Sequence, residues 1–165
     1  MSDITLSLFF TENVGLHTWA HVGNLNRELA IYRELALRLK KVKFISYGHP
    51  HDSIHACNIQ PIELISLPPF ETSNRSILRL LSSHLPSLVQ TDILKTNQIL
   101  GSDVAVKIKK VLRKPLITRC GYLHSLFTKE NTHDSHSIEK AINLEKKAFL
   151  TADMGVVTTE IQREY

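Results

Sequence analysis

Long apolar runs, paired cysteines and glycine-rich phosphate loops are all missing from this chain. No stretch approaches the roughly 18 apolar residues of a membrane-spanning helix. The N-terminus carries Asp3 and no basic lead-in, so it does not read as a secretory signal. The two cysteines, Cys57 and Cys120, form no C-x-x-C, which argues against a disulfide scaffold and for a reducing, cytoplasmic setting. There is no G-x-G-x-x-G after the first apolar segment and no G-x-x-x-x-G-K-[ST] anywhere, so dinucleotide dehydrogenases and P-loop NTPases are poor readings. A zinc-protease H-E-x-x-H and a hydrolase G-x-S-x-G are missing too. Internal repeats and low-complexity tracts are not seen.

What is present suits one globular domain spanning residues 1–165. A chain of 165 residues with 42% hydrophobic and 22% charged residues can bury enough surface to fold without a metal or disulfide. Its formal charge of +4 permits an anionic partner without demanding one.

Short apolar segments alternate with amphipathic ones. Residues 4–10, 41–47, 62–67, 92–97, 115–120 and 154–159 have strand length and strand composition. Between them, 24–41 sets Leu25, Leu29, Tyr32, Ala36 and Leu39 on one helical face, with Asn24 or Asn26 able to cap it and Glu34–Arg38 paired outside. Residues 73–85 form a second helix. Residues 102–114 form a third, with Val104, Ile108, Val111 and Leu112 on one side. Residues 137–150 form a fourth, with Ser137 as N-cap and Glu139 in the first turn. Segments 48–61 and 127–136 read as loops. The alternation predicts an α/β fold of three layers, Rossmann-like, with a mostly parallel sheet of about six strands. Ligands of such folds bind beyond the carboxyl ends of the strands.

The residues at those ends are therefore the candidates. After the first strand, Gly15 can let a ligand approach the backbone or serve as a turn residue. After the fourth, Asn97 and Gln98 offer amide donors and acceptors suited to hydroxyl-rich ligands, or a loop cap. After the fifth, Arg119 suits a phosphate or carboxylate, Gly121 removes a side chain, and Tyr122 offers a flat face and a hydroxyl. Cys120 reads more simply as a small core residue. The cluster His49, His51, Asp52, His55 and Cys57 fits no metal-ligand spacing and reads as a solvated loop, so no metal is expected. His133 and His136 read the same way.

With these residues in place, "LFFTENVGLHTW" (8–19) and the helix to Ala36, "KFISYG" (43–48) with Asp52, "DILKTNQ" (92–98) with Gly101-Ser102, "PLITRCGY" (115–122) and "KAFLTADMGVVTT" (147–159) together resemble the N-terminal half of a GT-B glycosyltransferase. The group is the large one of retaining enzymes that build polysaccharides and glycolipids. The resemblance implies the first of two Rossmann-like domains, whose strand-end loops hold a saccharide or lipid-linked acceptor. It implies acceptor contacts at Asn97, Gln98, Arg119, Gly121 and Tyr122, and a loop near the donor phosphates at Gly15 and Leu16. Several relatives carry a His just after the fifth strand. Here that position is Cys120, and His124 follows four residues on; these two are the catalytic candidates. In this group the nucleotide-sugar donor is held mainly by a second domain, and no separate cofactor is expected. The expectation is that this chain does not catalyse alone, and that its partner domain lies in a longer polypeptide or a separate one.

The third helix carries Lys107, Lys109, Lys110, Arg113 and Lys114, a candidate contact with the inner face of an anionic membrane. The alternative is a non-catalytic α/β module using this basic helix on nucleic acid. The sequence lacks an RNP-like aromatic signature, so nucleic acid is not the expected partner.

Overall fold

The structure, a computed structural model, describes residues 2–47, 50–67 and 73–164. In chain order it contains β1 (Ser2–Phe9), α1 (Leu16–His21), α2 (Leu25–Arg38), β2 (Leu39–Ser46), a 3-10 helix (Pro50–Ile59), β3 (Glu63–Ser66) and α3 (Ser73–Val89). Next come β4 (Ile93–Thr96), α4 (Ser102–Leu112), β5 (Leu116–Cys120), α5 (His124–Asn131), α6 (Ser135–Thr151), β6 (Met154–Val157) and α7 (Glu160–Glu164).

The strands form one six-stranded sheet in the order β3-β2-β1-β4-β5-β6, and every pair is parallel. This is the doubly wound Rossmann order, with its reversal between β1 and β4. The sheet is thus wholly parallel, as apolar strands joined by helical crossovers require.

Each face has its own core. On one face Leu8, Phe10, Val42 and Phe44 pack against Leu16 and Trp19 of α1 and Leu29 and Tyr32 of α2. Phe44 lies edge-on to Tyr32, with ring centroids 5.1 Å apart. On the other, Phe9, Ile45, Leu94 and Leu116 pack against Leu80 and Leu88 of α3 and Val104 and Ile108 of α4. A smaller cluster sets Cys120 and Ile99 against Ala148 of α6. The α2 face foreseen from periodicity is the one that packs, with Leu25 and Ala36 half-buried around it and Glu34 and Arg38 exposed, but the helix stops at Arg38 and Leu39 turns extended as the first residue of β2.

Several boundaries differ from expectation for local reasons. Segment 48–61 is not a loop, because Pro50–Ile59 winds into a 3-10 helix that buries Asp52 and Ile59. Segment 127–136 is mostly helical, as α5 starts at His124 and α6 at Ser135. α6 is capped by Asp134, whose carboxylate accepts from the N–H groups of His136 and Ser137. Ser137 is inside the helix, and Glu139 lies beyond its first turn. Asn24 occupies the N-cap of α2 without a side-chain cap bond. Val111 is exposed, because α4 turns that side away from the sheet. α3 runs through Pro86 to Val89: Leu88 is fully buried, and the Lys43 ammonium donates to the Ser87 carbonyl at 2.7 Å. A cation on the last carbonyls complements the helix dipole there.

Candidate functional site

Four of the predicted residues form two neighbouring hydrogen-bonded pairs at the carboxyl ends of β4 and β5. Asn97 is buried; its N–H donates to the Phe9 carbonyl at 2.8 Å and its side-chain amide to the Thr11 hydroxyl at 3.1 Å, tying the β4 end to the β1 end. The Arg119 guanidinium donates to the Asn97 carbonyl at 3.1 Å. The Gln98 side-chain oxygen accepts from the Gly121 N–H at 2.7 Å. A Cβ on Gly121 would stand 2.7 Å from Gln98 Nε2, so the amide occupies the room the glycine leaves. The Gly121 carbonyl in turn accepts from the Thr158 hydroxyl at 3.1 Å, joining the end of β6.

Tyr122 turns aside from these pairs. It is 40% exposed, packs edge-on to Phe127, and lines a groove of about 400 Å³ with Leu123, Leu126 and Gln162. Burial raises its phenol pKa, with the neighbouring Cys120 adding to the effect.

Gly15 and Leu16 lie at the β1 end beside Asp52. The Asp52 carboxylate is buried and accepts from the His17 N–H at 2.9 Å and from the Ser46 hydroxyl. It rests against Gly15 so closely that a Cβ there would collide with both of its oxygens. The space that Gly15 opens is therefore filled by the chain's own carboxylate. Gly101 has a second constraint: φ is +87°, and a Cβ would stand 2.8 Å from the Glu12 nitrogen.

Cys120 is buried and His124 half-buried. The Cys120 thiol is fully buried and donates to the Tyr122 carbonyl at 3.0 Å. Burial and the Glu145 carboxylate push its pKa up to about 11, so the thiol stays protonated at neutral pH. Burial lowers the His124 pKa despite Glu145, which keeps the ring neutral. Its Nδ1 and the Ser125 hydroxyl are buried without a hydrogen-bond partner among the described residues. Glu145 is itself buried and accepts from the Ser125 N–H at 2.9 Å, near the start of α5.

Of the histidine-rich segment, His49 lies outside the described residues. Asp52 is not solvated, as noted. The His17 ring lies 5.5 Å from that of His51 and 5.8 Å from that of His55. Among the described residues no group of three or more His, Cys, Asp and Glu is placed to hold a metal ion.

Two groups that sequence reading passed over are also here. Lys95 on β4 donates to the Tyr32 hydroxyl at 3.0 Å. Its signal was a lysine at the third position of a strand otherwise reading as buried. Glu12, at the β1 end, has a raised pKa from burial and from the charge of Asp103 at the start of α4. The basic helix end lies at the opposite, amino-terminal end of the strands, where β5 begins. There the Lys109 ammonium pairs with Asp153, and Lys107 donates to the Asn74 side chain at 2.7 Å. No helix among the described residues is long and apolar enough to cross a membrane.

No family model matches the chain, and no curated protein matches it. Solved structures do. A protein from Listeria monocytogenes assigned as a UDP-N-acetylglucosamine 2-epimerase superposes with a TM-score of 0.60 and 15% identity, over 99% of this chain and 42% of that one. The likeness shows the fold. Anabaena HepE, in complex with UDP and glucose, gives 0.48 and 14% identity over 92% of this chain and 43% of that one. The chain spans less than half the length of either protein.

Proposed function

We propose that this domain is the acceptor-binding half of a glycosyltransferase that moves a sugar from a nucleotide-sugar donor to a saccharide or lipid-linked acceptor. The observation that carries the reading is the pairing of Arg119 with Asn97 and of Gln98 with Gly121 at the carboxyl ends of β4 and β5. It sets a guanidinium, held by the amide-anchored ends of β4 and β5, beside the reversal of strand order, where doubly wound sheets take their ligands. The fold the domain shares with a protein assigned as a UDP-N-acetylglucosamine 2-epimerase supports a sugar-nucleotide setting.

Sugar transfer also needs charge stabilisation of the departing nucleotide diphosphate, and it needs donor and acceptor held together. The place where Gly15 opens the backbone holds the Asp52 carboxylate, which would repel a phosphate. Donor binding is therefore assigned to a second domain. With Cys120 protonated and buried, it has no catalytic part in this reading.

Calorimetry with UDP- and GDP-sugars, and with candidate saccharide acceptors, tests the division of labour. The 165-residue chain should bind acceptor-type saccharides and no nucleotide sugar. Arg119→Ala should weaken acceptor binding by about 1.5–3 kcal/mol, the range of a charge-assisted hydrogen bond. Micromolar donor binding or turnover by the chain alone would show it to be a complete enzyme.

A further inference from the structure

Among the described residues the helices leave half of one sheet face only partly covered. α1 and α2 cover β1 and β2, but on the same face β4, β5 and β6 present Ile93, Lys95, Ile117, Arg119, Met154 and Val156. Register puts them together: Leu8 pairs with Lys95, Lys95 with Ile117, Ile117 with Met154, and Arg119 with Val156. Met154 is 58% exposed and Val156 38%. Parallel sheets are ordinarily covered on both faces, so a partly covered half-face can admit a ligand.

Two cations stand on it, close to the carboxyl ends of their strands. The Lys95 ammonium is held by the Tyr32 hydroxyl at 3.0 Å and lies 5.4 Å from the Tyr32 ring centre. The Arg119 side chain donates to the Asn97 carbonyl at 3.1 Å, which leaves most of the N–H fork uncommitted. Among the described residues neither cation forms an ion pair with a carboxylate. Two like charges on adjacent strands, one of them largely desolvated, are unfavourable unless something neutralises them.

We propose that Lys95 and Arg119 together bind an oxyanion, the phosphate or carboxylate group of a small ligand, on the partly covered half of this face. The inference builds on the reading of Arg119 as a ligand contact and adds Lys95 and the sign of the ligand's charge. Arg119 supplies a planar fork for two oxygens, and Lys95 a compact charge below it. Tyr32 fixes the ammonium from the α2 side. Glu28, also on α2, is the acidic group near Lys95, and it pairs with Arg27. Burial and the charge of Arg119 pull the Lys95 pKa down to about 8. A bound anion favours the charged ammonium, so anion affinity falls as pH rises through that value.

Thermal unfolding of the intact chain tests this directly. Pyrophosphate, sulfate, glucose 1-phosphate, glucuronate and glucose are compared with chloride at matched ionic strength and pH 7. The phosphate-bearing or carboxylate-bearing probes should raise the Tm and glucose should not; which of the two classes acts tells the ligand's anionic group. Lys95→Met and Arg119→Met should each weaken the response by about tenfold or more in apparent Kd. Without anion, Lys95→Met should melt at or above wild type, since it removes the repulsion. Wild-type affinity for sulfate, which does not titrate in this range, should drop between pH 7 and 9. An unchanged anion response in both variants overturns the proposal, as does no response to any anion. A lower Tm for Lys95→Met without anion would make Lys95 a strut for Tyr32 and overturn it as well. The wild-type pH series stands even where a variant does not fold. None of these readings depends on donor or acceptor sugars, so the site and the glycosyl-transfer reading fail separately.

Discussion

Asp52 and Gly15 are a matched pair. The carboxylate caps the His17 N–H and the Ser46 hydroxyl, and it fits only because residue 15 has no side chain. Asp52→Ala leaves a buried donor, the Ser46 hydroxyl, and a half-buried one, the His17 N–H, without their acceptor, at about 1–3 kcal/mol for the buried one. Gly15→Ala should also destabilise, by collision, since its backbone is extended with φ at −128° and no strain arises from the conformation itself. A double-mutant cycle by urea denaturation should show coupling: Gly15→Ala costs less once Asp52 is Ala. Additive losses would mean that the carboxylate moves aside. Lys95 sets a second expectation. Its pKa is about 8 when folded against 10.5 ordinarily, so the unfolded chain holds the proton over a window where the folded chain has lost it. Stability attributable to Lys95 must then rise with pH from about 8 to 10.5 and stay at its low level below 8. The difference between wild type and Lys95→Met, measured across that window, isolates it from other titrating groups.

At the scale of elements, helix ends decide most of the departures from pattern. α6 begins at Ser135 because Asp134 offers two acceptor contacts to its first N–H groups. Those contacts also hold the Asp134 carboxyl below its ordinary pKa. Asp134→Ala should lower the Tm and Asp134→Ser should recover part of the loss, with the effect fading as acid protonates the wild-type carboxylate. The carboxyl end of α4 gives another testable element. Lys110 and Arg113 are exposed there, whereas Lys109 is engaged by Asp153. If this end meets an anionic leaflet, co-sedimentation should rise with anionic lipid, by about 1 kcal/mol per basic residue near the surface. Equal sedimentation with neutral vesicles would leave the charges as a solvated helix end.

For the whole molecule, the two cores share the strands of a single sheet, so neither layer can unfold without exposing the other. One cooperative transition by calorimetry and by circular dichroism is expected. Phe44, fully buried among Trp19, Tyr32 and Phe10, is a sensitive probe: Phe44→Ala should remove about 3–5 kcal/mol of a total stability that for such domains is about 5–15. The partly covered half-face and the edge strand β6 are the exceptions to this closure. An apolar groove of about 800 Å³ runs along that edge, lined by Leu123, Phe149, Leu150 and Val157.

The fold class was legible because it rests on period and order. Strand-length apolar segments joined by 3.6-residue amphipathic stretches leave little besides a covered parallel sheet. The strand ends, and with them Asn97, Gln98, Arg119 and Gly121, follow from the same pattern. What the linear pattern could not carry is which neighbours share those ends. Asp52 becomes a buried cap only when a 3-10 helix folds it against Gly15, 37 positions earlier in the chain. Lys95 meets Arg119 only because β4 and β5 lie side by side and face the half that α1 and α2 do not reach. Cys120, a catalytic candidate that also read as a small core residue, is a buried thiol because α6 closes over it with Ala148 and brings the Glu145 charge near. Periodicity is local and survives in sequence. Desolvation and charge proximity depend on which distant segments meet, and only the tertiary structure decides that.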